Sequence, residues 1–407
     1  MNRTPATPCP TWPSVPEPRV AIAYDCIFPL NTGGGERVYR RIAELLQDRG
    51  SSVEYVTRGQ WAEGEAPQAP FPITSVWRGD IYDAAGTRTP ASAVAFARGL
   101  FTHFRRHRRD YDLVIVSALP VLNVFAVRLA LLGTRSYLVT DWLEVWSWRK
   151  WRRYSGPLVG TVASALQFVA LRLGELHTVN SRFTRAKVRA YRSAADPVVL
   201  GLVDLVDVAD RAEPGADAAG PVERPATVLF VGRHIADKRL TDLPAALVVA
   251  RRTVPGVRAT IVGTGPETPN VRRSVTELGL DHAVDFLGRV SETELNAHFA
   301  AASVLVNPSA REGFGLVIAE AAASGTPSVV VAGEDNAAAE LVHDGVNGFV
   351  AENVGAEALG AAIVRAIEGG EPLRRSTLAW FQAERVRSGL SASVGEILER
   401  YRAARAR

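Results

Sequence analysis

Short apolar runs alternate with longer stretches of helical periodicity along the chain, a pattern typical of a parallel sheet with crossover helices. In the first half, five of these runs are predicted as strands: Arg19–Asp25, Ser52–Thr57, Leu113–Ser117, Ser136–Thr140 and Leu176–Val179. After the first run, Gly33, Gly34 and Gly35 open a helical pattern over 36–47, and Gly50 ends it.

The alternation stops between Leu205 and Pro225, where Ala, Asp, Gly and Pro dominate, and then resumes. Five further runs are predicted as strands: Thr227–Val231, Ala259–Val262, Val284–Leu287, Val304–Val306 and Ser328–Val331. A segment without periodicity between two such halves predicts a linker. The sequence therefore predicts an α/β fold with two Rossmann-like, doubly wound domains, whose strand-end loops face a cleft.

These patterns also set the predicted boundaries. The predicted segments are 1–18, 19–204, 205–225, 226–375 and 376–407. The first is a disordered lead-in, because it holds six prolines and no apolar core and so fits neither a signal peptide nor a membrane span. An N-terminal domain, the linker and a C-terminal domain follow. The last segment is predicted as a helix, periodic from Leu378 to Arg402.

Composition narrows the class of protein. With 47% hydrophobic and 22% charged residues among 407, the chain fits a soluble globular enzyme. Its net charge of +4 suits an anionic substrate or an anionic membrane, and no nucleic-acid-binding motif accompanies it. Two cysteines are too few for a disulfide framework, which favours a reducing compartment such as the cytoplasm. Only three of the 47 Lys and Arg residues are lysines, so Lys150, Lys187 and Lys238 are candidates for compact point charges.

The most informative motif contains Glu312 and Glu320, separated by seven residues around the turn Gly313-Phe314-Gly315. An apolar run precedes the turn and a helical pattern over 316–323 follows it, so one carboxylate lies in a strand-to-helix loop and the other in the helix. Glycine lets a ligand approach the backbone, and the free N–H groups of a helix start attract an anion. The motif therefore predicts a site for an oxygen-rich, anionic small molecule.

A second candidate motif follows the predicted strand Thr227–Val231. Gly232 and Arg233 come directly after it, and Lys238 lies five residues beyond the arginine. Arginine offers a fork of hydrogen-bond donors and lysine a point charge, so the two could hold a diphosphate from two sides. A basic pair on the surface of a helix start is the alternative.

Both motifs resemble those of the retaining glycosyltransferases of family 4, also called glycosyltransferase group 1, which have the two-domain GT-B fold. The resemblance extends from Arg19 to about Glu368. It implies that the N-terminal domain binds the acceptor, that the C-terminal domain binds the nucleotide-sugar, and that the helix in segment 376–407 packs back on the N-terminal domain. It implies that Arg233 and Lys238 hold the donor phosphates, and that Glu312 and Glu320 bind the sugar and the ribose. It also assigns donor contacts to these residues: Gly34, Gly35, Val290, Gly313, Phe314, Gly315 and Leu316.

Four of the eight tryptophans and four basic residues lie between Asp141 and Arg153. Because aromatic faces stack on sugar rings, we expect this segment to line the acceptor side; its candidate residues are Asp141, Trp142, Glu144 and Trp146. A peripheral contact with an anionic membrane is an alternative, supported by an apolar stretch over 158–171 that is too short to span a bilayer. A buried helix with a basic surface turn is the third. Leu143 stands where many members of the family have a histidine, and Asp141 or Glu144 is the candidate to replace that histidine.

The resemblance implies transfer of a hexosyl group from a nucleoside-diphosphate sugar to an acceptor hydroxyl, with retention. No cofactor or bound metal is expected, because the seven histidines are scattered and no Asp-x-Asp follows an apolar strand. The expected location is the cytoplasm, with the inner face of the plasma membrane as the alternative. Two other classes stay open: a nucleotide-sugar 2-epimerase, and a donor-binding or membrane scaffold without activity.

Overall fold

A computed structural model describes residues 17–31, 33–62, 65–81, 89–206, 226–333 and 335–406. The predicted lead-in, except for its last two residues, and the predicted linker from residue 207 on lie outside these ranges. Contacts divide the chain into two units. The first comprises the described residues up to Thr140, with Leu173–Leu176 and the chain from Val394 on; the second comprises Asp141–Arg172 and His177–Ser393.

The N-terminal part of the chain forms a seven-stranded sheet in the order β3-β2-β1-β4-β5-β6-β7. Its strands are β1 (Arg19–Ala23), β2 (Ser52–Gly59), β3 (Ile73–Arg78), β4 (Leu113–Ser117), β5 (Tyr137–Trp142), β6 (Leu176–Val179) and β7 (Val198–Val199). Strand β1 pairs in parallel with both β2 and β4. Strand β4 is buried at every position, which explains its unbroken apolar sequence.

The C-terminal part forms a six-stranded sheet in the order β10-β9-β8-β11-β13-β15, beside a two-stranded sheet of β12 and β14. These strands are β8 (Thr227–Val231), β9 (Arg258–Val262), β10 (Val284–Gly288), β11 (Val304–Asn307), β12 (Arg311–Glu312), β13 (Ser328–Val331), β14 (Asp335–Asn336) and β15 (Gly348–Ala351). Phe230 and Val306 pack into a core on one face of the larger sheet, and Leu229 and Leu305 pack into a core on the other. Apolar cores on both faces are typical of a doubly wound parallel sheet.

Helices connect most of these strands. They are α1 (Gly34–Asp48), α2 (Pro90–Arg106), α3 (Leu122–Ala130), α4 (Trp148–Ser155), α5 (Pro157–Ala170), α6 (Arg182–Tyr191), α7 (Leu243–Thr253), α8 (Thr268–Glu277), α9 (Glu292–Ala301), α10 (Leu316–Ala323), α11 (Ala356–Glu368), α12 (Gly370–Arg387) and α13 (Leu390–Arg405). Local sequence fixes several starts: Ser291 and Glu294 form a capping box at α9. Thr89 caps α2, which has a proline in its first turn.

All ten predicted strands are present, and the two doubly wound sheets confirm the predicted α/β class. The single helix predicted over 378–402 is instead two helices, α12 and α13, separated at Ser388 and Gly389. Asp204 explains the break, because both of its carboxylate oxygens lie 2.9 Å from the N–H of Leu390, at the start of α13. From Val394 on, α13 groups with the first unit, where Tyr401 packs edge-on against Tyr137.

Candidate functional site

The two sequence motifs meet at one edge of the C-terminal sheet. Strands β8 and β11 are neighbours, so the loops that follow them lie side by side. Lys238, in a 3-10 turn after β8, places its Nζ 2.5 Å from Oε2 of Glu312 in β12. Asn307 Nδ2 lies 3.4 Å from the same oxygen. Both partners of the ion pair are sheltered, with side chains 22% and 17% exposed, which strengthens a charge-assisted hydrogen bond.

The backbone holds the two loops together beneath this pair. Ala310 donates its N–H to the carbonyl of Asp237 at 2.8 Å. The guanidinium of Arg311 lies 2.9 Å from the carboxylate of Asp237. Asn307 accepts hydrogen bonds from the N–H and the hydroxyl of Ser309, which shapes the start of the loop. The position of Glu312 is therefore fixed from both sides.

Arg233 and His234, adjacent in sequence, have opposite environments. The Arg233 side chain is exposed and makes no hydrogen bond or ion pair with any residue that the structure describes. His234 is buried, its Nδ1 lies 2.7 Å from the hydroxyl of Thr268, and burial lowers the pKa of its imidazole. Within the described ranges, no group of three or more His, Cys, Asp or Glu side chains could hold a metal ion. The exposed guanidinium of Arg233 is therefore open to an anion, in the same loop that carries Lys238.

The turn between Glu312 and α10 depends on both of its glycines. Gly315 has φ of 94° and a Cβ there would lie 2.7 Å from the Cβ of Ala338, so only glycine fits. A Cβ on Gly313 would lie 2.8 Å from Nδ2 of Asn180. Phe314 is half-buried against a small core, Leu316 is the first residue of α10, and Glu320 is half-buried in its second turn.

The remaining predicted donor contacts lie at other strand ends. Val290 follows β10, is half-buried and packs against the core of the C-terminal sheet. Gly34 and Gly35 begin α1 in the first unit, after Gly33 as the N-cap residue. The structure thus brings Lys238, Glu312 and their loops together in the second unit, while the glycine-rich helix start belongs to the first.

Two of the predicted acceptor residues are buried at the end of β5. Asp141 accepts a hydrogen bond from the hydroxyl of Thr178 at 2.6 Å. Trp142 donates its Nε1–H toward Nδ1 of His177 at 3.3 Å. Burial lowers the pKa of His177 to about 4. Since Asp141 and Trp142 are only 1% and 2% exposed, they position the loop that follows, and their contact with an acceptor stays a prediction.

The other two predicted acceptor residues lie next to the donor motif. Trp146 donates its Nε1–H to Glu144 at 2.5 Å. The second carboxylate oxygen of Glu144 lies 3.6 Å from Nε of Arg311, and the guanidinium of Arg311 lies 5.2 Å from a ring centroid of Trp146. Because Arg311 precedes Glu312 in β12, the acceptor and donor candidates are joined through one residue.

Sequence reasoning missed Arg311 and Asp335. Lys150 lies 2.8 Å from one carboxylate oxygen of Asp335 and Lys187 lies 2.5 Å from the other. Burial alone would raise the pKa of Asp335, but hydrogen bonds from the two lysines outweigh it and hold the pKa below its usual value. All three lysines of the chain therefore contact carboxylates in the paired strands β12 and β14. The scarcity of lysine is the signal in the sequence that could have led to this region.

Two family models match the chain. The model described as glycosyl transferases group 1 matches residues 216–377, and the glycosyl transferase 4-like domain matches residues 33–201. The first match contains both motifs of the candidate donor site, and the second contains the acceptor-side candidates. Together the matches cover most of the chain, which belongs to the group 1 glycosyltransferases.

Known proteins agree with this assignment. The GDP-mannose-dependent alpha-(1-6)-phosphatidylinositol monomannoside mannosyltransferase of Mycolicibacterium smegmatis is 34% identical over 46% of this chain, and the match spans about half (51%) of that relative's length. Sucrose-phosphate synthase from Thermosynechococcus elongatus is 21% identical, with a TM-score of 0.73 over 95% of this chain and 99% of its own. HepE from Anabaena, solved in complex with UDP-glucose, is 21% identical, with a TM-score of 0.68 over 94% and 98%. The structural similarity confirms the GT-B fold.

Proposed function

We propose that this protein is a retaining hexosyltransferase that takes its sugar from a nucleoside diphosphate and needs no bound metal. The observation that carries the proposal is the ion pair of Lys238 and Glu312, with the exposed Arg233 in the same loop as Lys238. A sugar diphosphate needs cations for its phosphates and a carboxylate for its hydroxyls, a few ångströms apart. The second unit offers both at one strand edge.

Each residue then has a role in donor binding. Arg233 and Lys238 bind the diphosphate and stabilise the charge that builds on it as the sugar departs. Glu312, released in part from Lys238, accepts hydrogen bonds from the sugar hydroxyls. Glu320 binds the ribose, and the backbone from Gly313 to Leu316 faces the sugar. We also propose that Gly34 and Gly35 contact the phosphates and that Val290 lies beside the base.

In the transfer step, the acceptor oxygen forms a bond to the anomeric carbon while the bond from that carbon to the phosphate oxygen breaks on the same face. The acceptor proton passes to the departing phosphate oxygen, which leaves a nucleoside diphosphate and an α-glycoside. Two observations support the phosphate as the proton acceptor. Asp141 is buried against Thr178, and Glu144 is held by Trp146 and Arg311.

The acceptor is proposed to be a hydroxyl on a glycolipid, a polysaccharide or a natural product. Trp146 supports this proposal, because its ring is half-buried beside the donor motif and an aromatic face can stack on a sugar. Glu144, hydrogen-bonded to Trp146, would fix that ring or bind an acceptor hydroxyl.

Thermal shift against UDP, GDP, ADP and dTDP sugars, with EDTA present, tests the donor site directly. A ligand that binds only the folded protein raises the melting temperature. We expect a rise with one nucleotide, roughly tenfold weaker binding in Glu320→Ala, and turnover on the order of a hundredfold lower in Lys238→Ala. Glu277→Ala and Arg375→Ala change exposed residues outside the motifs and are the matched controls.

Other outcomes point to the other classes. A changed sugar without any acceptor would assign the protein to the epimerases. Donor binding with no turnover on any acceptor would favour the scaffold. Wild-type kinetics in both Glu320→Ala and Lys238→Ala, or donor binding that EDTA abolishes, would overturn the site as proposed.

A further inference from the structure

Helix α5 buries two of its three polar side chains and exposes most of its large apolar ones. Gly160, Ser164 and Gln167 are buried. Five of the exposed positions carry large apolar side chains, between 44% and 82% exposed: Leu158, Val159, Val162, Phe168 and Val169. A surface helix in water shows the opposite pattern. The outer face of α5 is therefore suited to an apolar environment.

Specific contacts fix this orientation. The side-chain oxygen of Gln167 accepts hydrogen bonds from the N–H of Trp146 at 3.0 Å and from Nε1–H of Trp151 at 3.1 Å. Its amide nitrogen donates to the carbonyl of Trp146 at 2.7 Å. A Cβ on Gly160 would lie 2.4 Å from the carbonyl of Trp151, so α4 and α5 pack closely there. Rotation of α5 would break these contacts, so the apolar face stays outside.

The same surface is strongly cationic. From residue 145 to residue 174 the chain has five basic residues and no acidic one. Of these, Lys150 is paired with Asp335, and the other four are exposed: Arg149, Arg152, Arg153 and Arg172. Arg152 stacks over Trp148 with 4.5 Å to the ring centroid, and Arg172 stacks over Phe168 with 3.5 Å. Cations therefore border and cover the apolar face.

The apolar exposure is concentrated here. Of the seventeen large hydrophobic side chains exposed among the described residues, seven lie between Trp148 and Val169. Trp148 and Tyr154, on the neighbouring α4, are also exposed and have the amphipathic rings favoured at a membrane interface. No helix in the described ranges has the length and hydrophobicity to cross a bilayer. A helix pair of this kind fits the plane of the interface.

We propose that α4 and α5 form a docking surface for an anionic lipid bilayer, with the apolar face of α5 in the interface and the four arginines on the lipid headgroups. The positive charge of this surface favours an anionic bilayer over a second copy of the chain. A second copy of the chain would bring the same cations to this face, whereas an anionic bilayer attracts each of them. The inference does not depend on the donor site, because vesicle binding needs no substrate.

Sedimentation with vesicles tests the docking surface. Phosphatidylcholine vesicles are compared with vesicles that also contain phosphatidylglycerol, and we expect the protein to prefer the anionic ones and to be released by salt. Leu158→Ser with Val162→Ser, and separately Arg152→Gln with Arg153→Gln, should each weaken binding on the order of tenfold. Val386→Ser and Arg375→Gln, both exposed on α12, should bind as the wild type does.

Both double variants change exposed side chains, so their melting temperatures and donor binding should equal those of the wild type. That result separates a failure of docking from a failure of the donor site. Equal binding to neutral and anionic vesicles, or double variants that bind like the controls, would overturn the proposal. So would sedimentation velocity that shows a dimer, dissociated by Leu158→Ser with Val162→Ser, since a second copy would then cover the face.

Discussion

At the residue scale, Gly313 is required by packing rather than by its own backbone conformation. Its φ lies outside the left-handed region. A Cβ there would lie 2.8 Å from Nδ2 of Asn180 and 3.5 Å from the carbonyl oxygen of Leu143. Asn180 donates to that same carbonyl at 2.9 Å. A side chain at 313 would therefore push apart the donor turn and the loop of Glu144.

We expect Gly313→Ala to lower the free energy of unfolding by about 1–3 kcal/mol, the usual cost of overpacking, and to reduce kcat/KM as well. Urea unfolding and steady-state kinetics measure the two effects. Gly256→Ala is the matched control, because a Cβ there has no neighbour within 4 Å. Adding Asn180→Ala should relieve part of the cost. If Gly313→Ala behaves like Gly256→Ala, the contact with Asn180 is not tight.

At the element scale, the two-stranded sheet of β12 and β14 anchors three separate segments. Glu312 in β12 binds Lys238, and Asp335 in β14 binds Lys150 from α4 and Lys187 from α6. Lys150 also lies over the ring of Trp146, 4.5 Å from the centroid. The acceptor-side segment is therefore held to the donor strand by electrostatics.

Asp335→Asn tests this anchor. We expect the free energy of unfolding to fall by about 1 kcal/mol, since each partly exposed ion pair contributes a fraction of that amount. We also expect a lower kcat.

The stabilisation by Asp335 depends on pH. Because the folded pKa of Asp335 is lowered, its contribution to stability is complete above the unfolded pKa of about 3.9 and disappears as the pH falls through the folded pKa. Urea unfolding across that range should show the wild type and Asp335→Asn converging at acid pH. Asp285 forms an exposed pair with Arg258, so Asp285→Asn should lower the free energy of unfolding by less than Asp335→Asn does. An equal decrease in the two variants would contradict the role of Asp335 as an anchor.

Local patterns identified the strands and both motifs, because alternation and motif spacing are properties of neighbouring residues. They did not identify β12 and β14, which have two residues each and no period. The half-exposed edge strand β3 was missed because its six residues do not alternate between apolar and polar, and the short strands β7 and β15 were missed as well. Asp335 and Lys187 are 148 positions apart, so only the completed topology brings them together.

At the scale of the whole molecule, three histidines, two buried and one half-buried, couple folding to pH. Burial lowers the pKa of His103 in the first unit, and of His177 and His234 in the second. Each stays neutral in the folded chain at a pH where the unfolded chain binds a proton. Both units should therefore lose stability on mild acidification, well above the pH at which Asp335 titrates.

For His177, the effect of pH on the free energy of unfolding can be given a size. Its pKa is about 4 when folded and about 6.5 when unfolded. Because the folded value is the lower one, stability is complete above about pH 6.5 and falls as the pH drops toward about 4. At about pH 5 the expected loss is on the order of 2 kcal/mol. Urea unfolding at neutral pH and at this pH should show a smaller loss in His177→Gln than in the wild type, and an unchanged loss in His282→Gln, an exposed control. If the free energy of unfolding falls with pH as steeply in His177→Gln as in the wild type, protonation of this imidazole does not destabilise the folded chain.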